Sequence, residues 1–186
     1  MTYEILFYSF FVLLLLNIAS IIWSGMGIFA KCQDKRARDV STLMNISLLN
    51  FVVAIYSTSQ ISHQYLWVLI AGLVLQVVSF VLFWYSSLSI RKEVFTIAFS
   101  NDQPSHLFTK GPYRMIRNPF YTSYMLCYLS VIIFSLSVIN IPFVVAIFLV
   151  YLRACRHEEN KFINSDLKDE YENYFNSTGR FFPKFS

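Results

Sequence analysis

Five stretches of this chain carry no Asp, Glu, Lys or Arg over lengths that approach or exceed the roughly 20 residues a helix needs to cross a bilayer. They cover 5–30, 40–62, 65–90 and 119–138, with a fifth running from Ile141 onward to about 157 and interrupted only at its polar end. The second is the most polar, with Asn45, Asn50 and a serine-rich end. Charged residues make up 14% of the 186, against about 25% in an average soluble domain. The pattern predicts one all-α integral membrane domain over 1–186. It has about five transmembrane helices, a C-terminal helical hairpin and a cytosolic tail.

The positive charges agree with that reading. All 15 Lys and Arg fall in the loop 31–39, the loop 91–118 or the tail that starts at Arg153. The N-terminus and the two alternate connections, near 60–64 and 137–140, have none. Basic residues mark the cytoplasmic face, so the N-terminus is expected outside and the C-terminus in the cytosol. The first run has no basic segment before it and is long, so no cleaved signal peptide is expected. This bias also accounts for the net charge of +4 without nucleic acid. Cys32, Cys127 and Cys155 stand apart, as do His63, His106 and His157. Neither a disulfide framework nor a metal centre is expected.

Residues 111–121 read GPYRMIRNPFY. Gly111-Pro112 marks a turn. Asn118 can cap the following helix, and Pro119 suits its first position. Asn140-Ile-Pro142 makes a second tight turn, so the fourth and fifth runs form a hairpin. From Pro142, Arg153 lies about 17 Å along a helix, inside the inner leaflet of a core about 30 Å thick. Glu158 and Glu159 follow near the boundary.

These groups suit a small zwitterion. A helix N-terminus offers N–H groups and partial positive charge, and Arg114 and Arg117 add full charges. Glu158 and Glu159 offer negative charge to a cation. The methionyl end of S-adenosylmethionine (SAM) has both an ammonium and a carboxylate, and its adenine can stack on Tyr113, Tyr121, Tyr171 or Tyr174. Each element also has a plainer reading. The arginines can bind lipid phosphates, the glutamates can form a solvated face, the tyrosines can anchor an interface, and Arg153 can snorkel.

The stretch Gly111–Tyr121 resembles the G-x-Y-R-x-x-R-[HN]-P-x-Y signature of the isoprenylcysteine carboxyl methyltransferase and phospholipid methyltransferase superfamily. The likeness continues through Glu158-Glu159-Asn-Lys-Phe162, Tyr171-x-x-Tyr174 and Arg180-Phe-Phe-Pro183, covering about 105–183. It implies an integral-membrane methyltransferase that uses SAM without a Rossmann domain, and the chain has no dinucleotide-type glycine loop. Carried over, Arg117, Asn118, Pro119, Tyr121, Glu158 and Glu159 line the cofactor site, and Tyr113, Tyr171 and Tyr174 help close it. Asn118 stands where many members have His, and Ser123 replaces a frequent Gly. The usual Phe-Gly before the tyrosine pair is missing.

A carboxylate acceptor needs no general base at neutral pH, whereas an amine or thiol must lose a proton. The expected reaction is therefore O-methylation of a lipidated, prenyl-cysteine-like carboxylate held by Arg153 or Arg156. The expected partners are a lipid or lipidated substrate and the bilayer. Methylation of a phospholipid amine or small thiol is the alternative within the fold. From other classes come an NADPH-dependent sterol-reductase-like protein and a non-catalytic membrane scaffold. A proton-coupled transporter is disfavoured, because the first four runs carry no charged residue at mid-membrane.

Overall fold

The computed structural model describes residues 2–27, 29–30, 37–59, 65–90, 95–96, 104 and 106–184. The basic residues Lys31, Lys35, Arg36, Arg91 and Lys92 lie outside the described residues, as does most of the turn expected at 100–105. The architecture is helical. In order come α1 (Thr2–Gly27), α2 (Ala37–Ser59), α3 (Leu66–Ile90), α4 (Pro119–Ser135), α5 (Ile141–Ile163) and α6 (Lys168–Ser177). The only strands among the described residues are β1 (Phe29–Ala30) and β2 (Phe95–Thr96), a parallel pair two residues long.

Three helices are long and apolar enough to cross a membrane, over Tyr3–Ser24, Leu66–Ile90 and Val138–Ile163. Two apolar helices are shorter, Met44–Thr58 and Pro119–Ser135. At 1.5 Å per residue, α4 extends about 25 Å, somewhat less than a hydrocarbon core. It stops early because Leu136 turns left-handed (φ 49°) and a 3₁₀ turn, Val138–Asn140, leads into α5. Pro142 sits in the first turn of α5, where its missing N–H costs nothing. The expected hairpin is present.

Side-chain pairings give the packing register. Phe10 of α1 stacks on Phe134 of α4 at 3.7 Å, and Ser24 meets the Tyr124 hydroxyl at 3.1 Å. Ser79 of α3 donates to Ser123 O at 2.7 Å, and Ser130 donates to Gln76 Oε1 at 2.6 Å. Both α1 and α3 therefore run antiparallel to α4. Tyr128 donates to Ser47 and Asn140 to Ser57, so α2 runs parallel to α4. The five long helices alternate in direction. The ends of α1, α3 and α5 and the start of α4 meet at one end of the bundle.

The closest approach is between α3 and α4. A Cβ on Gly72 would lie 2.7 Å from Phe134 Cβ and 3.0 Å from its Cα. Around this crossing Phe10, Leu14, Phe83, Tyr128, Val131 and Ile147 are buried. Asn50, on α2, is also fully buried, and both polar atoms of its side chain lack a hydrogen-bond partner among the described residues.

Candidate active site

The loop before α4 starts from a strained glycine. Gly111 has φ 59°, and a Cβ there would lie 2.1 Å from Ser89 Oγ. A 3₁₀ turn, Gly111–Arg114, follows with Pro112 in its first positions. It buries Tyr113 against Phe108, edge to face at 5.3 Å. Burial raises the Tyr113 phenol well above its ordinary pKa, so it stays neutral.

The C-terminal segment returns across this loop. Ile116 and Gly179 form a parallel bridge. Arg117 N donates to Gly179 O at 2.8 Å, Asn118 N to Arg180 O at 3.1 Å, and Gly179 N to Met115 O at 3.2 Å. The Asn118 side chain makes no cap hydrogen bond. Its Nδ2 donates instead to Arg180 O at 3.3 Å, contrary to the capping role expected for it. Thr122 reaches Phe181 O at 3.0 Å, and Tyr174 donates its hydroxyl to Tyr113 O at 2.7 Å. The main-chain donors of Arg117 and Asn118, just ahead of the helix N-terminus expected to suit an anion, are taken by tail carbonyls.

The two glutamates at the end of α5 have different surroundings. Glu159 is buried and paired twice. Arg180 grips it with Nε to Oε1 at 2.9 Å and Nη2 to Oε2 at 2.6 Å, a bidentate fork. This hydrogen bonding holds the Arg180 guanidinium above its ordinary pKa. Arg117 reaches Glu159 Oε1 from Nε and Nη2, each at 3.4 Å. The same guanidinium donates to Phe175 O at 3.1 Å and to Thr178 O, and lies 4.1 Å from the centroid of the Phe175 ring. Among the described residues, Glu158 accepts one hydrogen bond, from the Tyr121 hydroxyl at 2.9 Å. The Tyr121 ring is fixed by stacking on Tyr151 at 4.8 Å.

Residues 67–170 match the phospholipid methyltransferase family. The chain belongs to that family. No curated protein matches it significantly. The matched region runs from the start of α3 into α6, so it holds the Gly111–Tyr121 loop and both glutamates. Membership supports an enzyme of methyltransferase type, with a methyl donor and a lipid-modifying role. Three long apolar helices and this family fit an integral membrane protein.

Most of the residues singled out from the sequence lie near one another at this end of the bundle. Tyr113, Arg117, Asn118, Tyr121, Glu158, Glu159 and Tyr174 are joined by the contacts above, and Pro119 is buried beside them. Tyr171 is buried and stacked on Phe162 at 4.8 Å. Arg153 and Arg156 are not brought in. Both are exposed, while Ala154, Cys155 and Glu159 of the same helix are buried. At about 100° per residue, Arg153 points about 140° away from Glu158. Sequence reasoning missed Arg180 as the main partner of Glu159, although the Arg-x-x-Pro ending was the signal. It also missed Thr178 and Phe175, which carry no pattern of their own.

Proposed function

We propose that the chain is a SAM-dependent methyltransferase with five membrane crossings, its N-terminus outside and its loop and tail cytosolic. The observation that carries this reading is the hydrogen bond between Tyr121 and Glu158. It joins the signature loop to the carboxylate pair across 37 residues of sequence, inside a methyltransferase-family match. The cationic half of SAM fits this donor set, because Glu158 meets one phenol and keeps acceptor capacity for an ammonium. Glu159 fits less well, because two guanidiniums already neutralise it.

SAM would supply an electrophilic methyl group. The chain's own residues bind, orient and exclude water. Glu158 takes the ammonium, Tyr121 fixes the direction of that carboxylate, and the aromatic groups around Tyr113 and Tyr171 shield the site. For the acceptor we favour a lipid-borne amine, as a phospholipid methyltransferase family allows; it must attack as the free amine, having lost its proton to solvent at the headgroup boundary. A prenyl-cysteine-like carboxylate would need an arginine at the reacting end, and Arg153 and Arg156 face away from Glu158. Their exposed position on α5 suits contact with headgroup phosphates.

Purified protein in vesicles, given labelled SAM, should transfer label to an aminophospholipid and not to a prenyl-cysteine carboxylate or a small thiol. Label on the prenyl-cysteine would restore the carboxylate reading. SAM should raise the thermal midpoint and NADPH should not; the reverse would favour a reductase. Thiol labelling that finds the N-terminus in the cytosol would contradict the orientation.

A further inference from the structure

The two neighbouring glutamates end up in unlike positions. The segment Thr178–Phe181 lies across the loop Met115–Thr122 and is fastened along its length by main-chain bonds. Its own charged side chain, Arg180, forks onto Glu159. Glu159 also receives Arg117, which donates as well to Thr178 O, at the start of that segment, and to Phe175 O, near the end of α6. One buried carboxylate thus ties α5, the signature loop and the tail together. A tight turn keeps the segment in place, since a Cβ on Gly179 would lie 1.7 Å from Phe182 O. That position tolerates no side chain without moving the backbone.

We propose that Glu159 is a positioning residue and not a donor ligand. With Arg180 and Arg117 it latches residues 178–181 as a strap over the loop that carries Asn118 and Tyr121. The strap in turn holds Tyr121 where it can aim Glu158. This rests on the reading that Glu158 faces the methyl donor. The physical basis is occupancy. A carboxylate gripped by a bidentate guanidinium and approached by a second has little left to offer an ammonium, whereas Glu158 meets one phenol donor among the described residues. The latch is partly exposed on the Arg180 side, at 30% of the side chain. It can therefore open without unfolding the buried helices.

The test uses the full chain in detergent or vesicles, with Glu159→Gln, Arg180→Gln, the two combined, and Glu158→Gln. Hydrogen exchange is read at the amides of Arg117, Asn118 and Gly179, which close the strap. Each latch variant should speed exchange at these amides by about tenfold or more, and the double variant should equal Glu159→Gln alone, since that change already frees both arginines. Arg180→Lys keeps the charge and loses the fork, so it should fall between. Glu158→Gln should leave these amides as in wild type. In SAM titrations, Glu159→Gln should cost only a small further loss, from release of Arg117, once Arg180 is Gln, while Glu158→Gln should still weaken binding by about tenfold in that background.

Unchanged exchange in Arg180→Gln would overturn the latch. So would a full, additive loss of SAM affinity from Glu159→Gln in the Arg180→Gln background, which would make Glu159 a ligand. If Glu159→Gln fails to fold, Arg180→Lys and Arg180→Gln decide by exchange alone. If wild type binds no SAM, the methyl-donor reading fails, and the exchange arm still decides whether Glu159 latches the strap.

Discussion

Where α3 crosses α4, Gly72 packs directly on Phe134 of α4, and the approach is set by shape. Where the strap crosses the start of α4, three main-chain bonds and a two-arginine carboxylate set the approach. The first contact is buried, with the hydrogen bond from Ser130 to Gln76 one turn along. The second is polar and reaches the surface. A shape-fitted contact loses stability in one cooperative step when its volume changes. A hydrogen-bonded strap can open locally while the helices stay packed. The difference teaches where this protein stores rigidity and where it can afford motion, and the candidate site lies on the second side.

The sharpest way to break the comparison is at Phe134. Phe134→Ala should cost about 3–5 kcal/mol of stability by leaving a cavity at the crossing, seen as a lower thermal midpoint in detergent. Exchange at the strap amides, read well below that midpoint, should not change. Coupled acceleration there would show that the two regions are not separate.

Arg117→Lys should do the opposite. It keeps one charge but loses the fork that reaches Glu159, Thr178 and Phe175, a loss of about 1.5–3 kcal/mol concentrated in the strap. Exchange near Gly179 should rise while the thermal midpoint moves little. A large fall in the midpoint would mean that the strap is part of the global unfolding unit.

Asn50→Leu sharpens the apolar side. A buried amide with neither polar atom bonded costs about 1–3 kcal/mol relative to a fitting apolar group. The variant should therefore be as stable as wild type or more stable. A clear loss would show that Asn50 has a partner, such as bound water.

The smallest effect is expected from Tyr121→Phe, which keeps the stack on Tyr151 and removes one hydroxyl. SAM affinity should fall by about tenfold, the weight of one hydrogen bond to a charged group. No change would detach Tyr121 from Glu158 in function.

Much of this was readable in the amino acids because apolar length and charge placement are strong, local signals. Leu66–Ile90 begins and ends within a residue of the expected run. The turn at Asn140–Pro142 was visible because proline and asparagine have fixed backbone uses. The helix α5 continues six residues past the expected 157, to Ile163. Its apolar run ends at Arg153, but the helical period carries Glu159 inward among partners. The helix α6 was not foreseen as an element, since its short polar segment shows only a tyrosine pair. The strap was least legible, because main-chain pairing between Ile116 and Gly179 leaves no side-chain pattern. It is also why Asn118 binds a tail carbonyl and does not cap α4. For Arg153, depth was read without direction, although the spacing to Glu158 already separated the two around the helix.

The central claim is that Glu158 is the donor-facing carboxylate of a SAM-using member of the phospholipid methyltransferase family. Calorimetric titration of SAM into the purified full chain, wild type beside Glu158→Gln, tests it most directly. The account predicts saturable binding to wild type and a loss of about ten- to a hundredfold in the variant, the weight of a charge-assisted hydrogen bond. Equal affinity in the two proteins, or no binding to wild type, would contradict it.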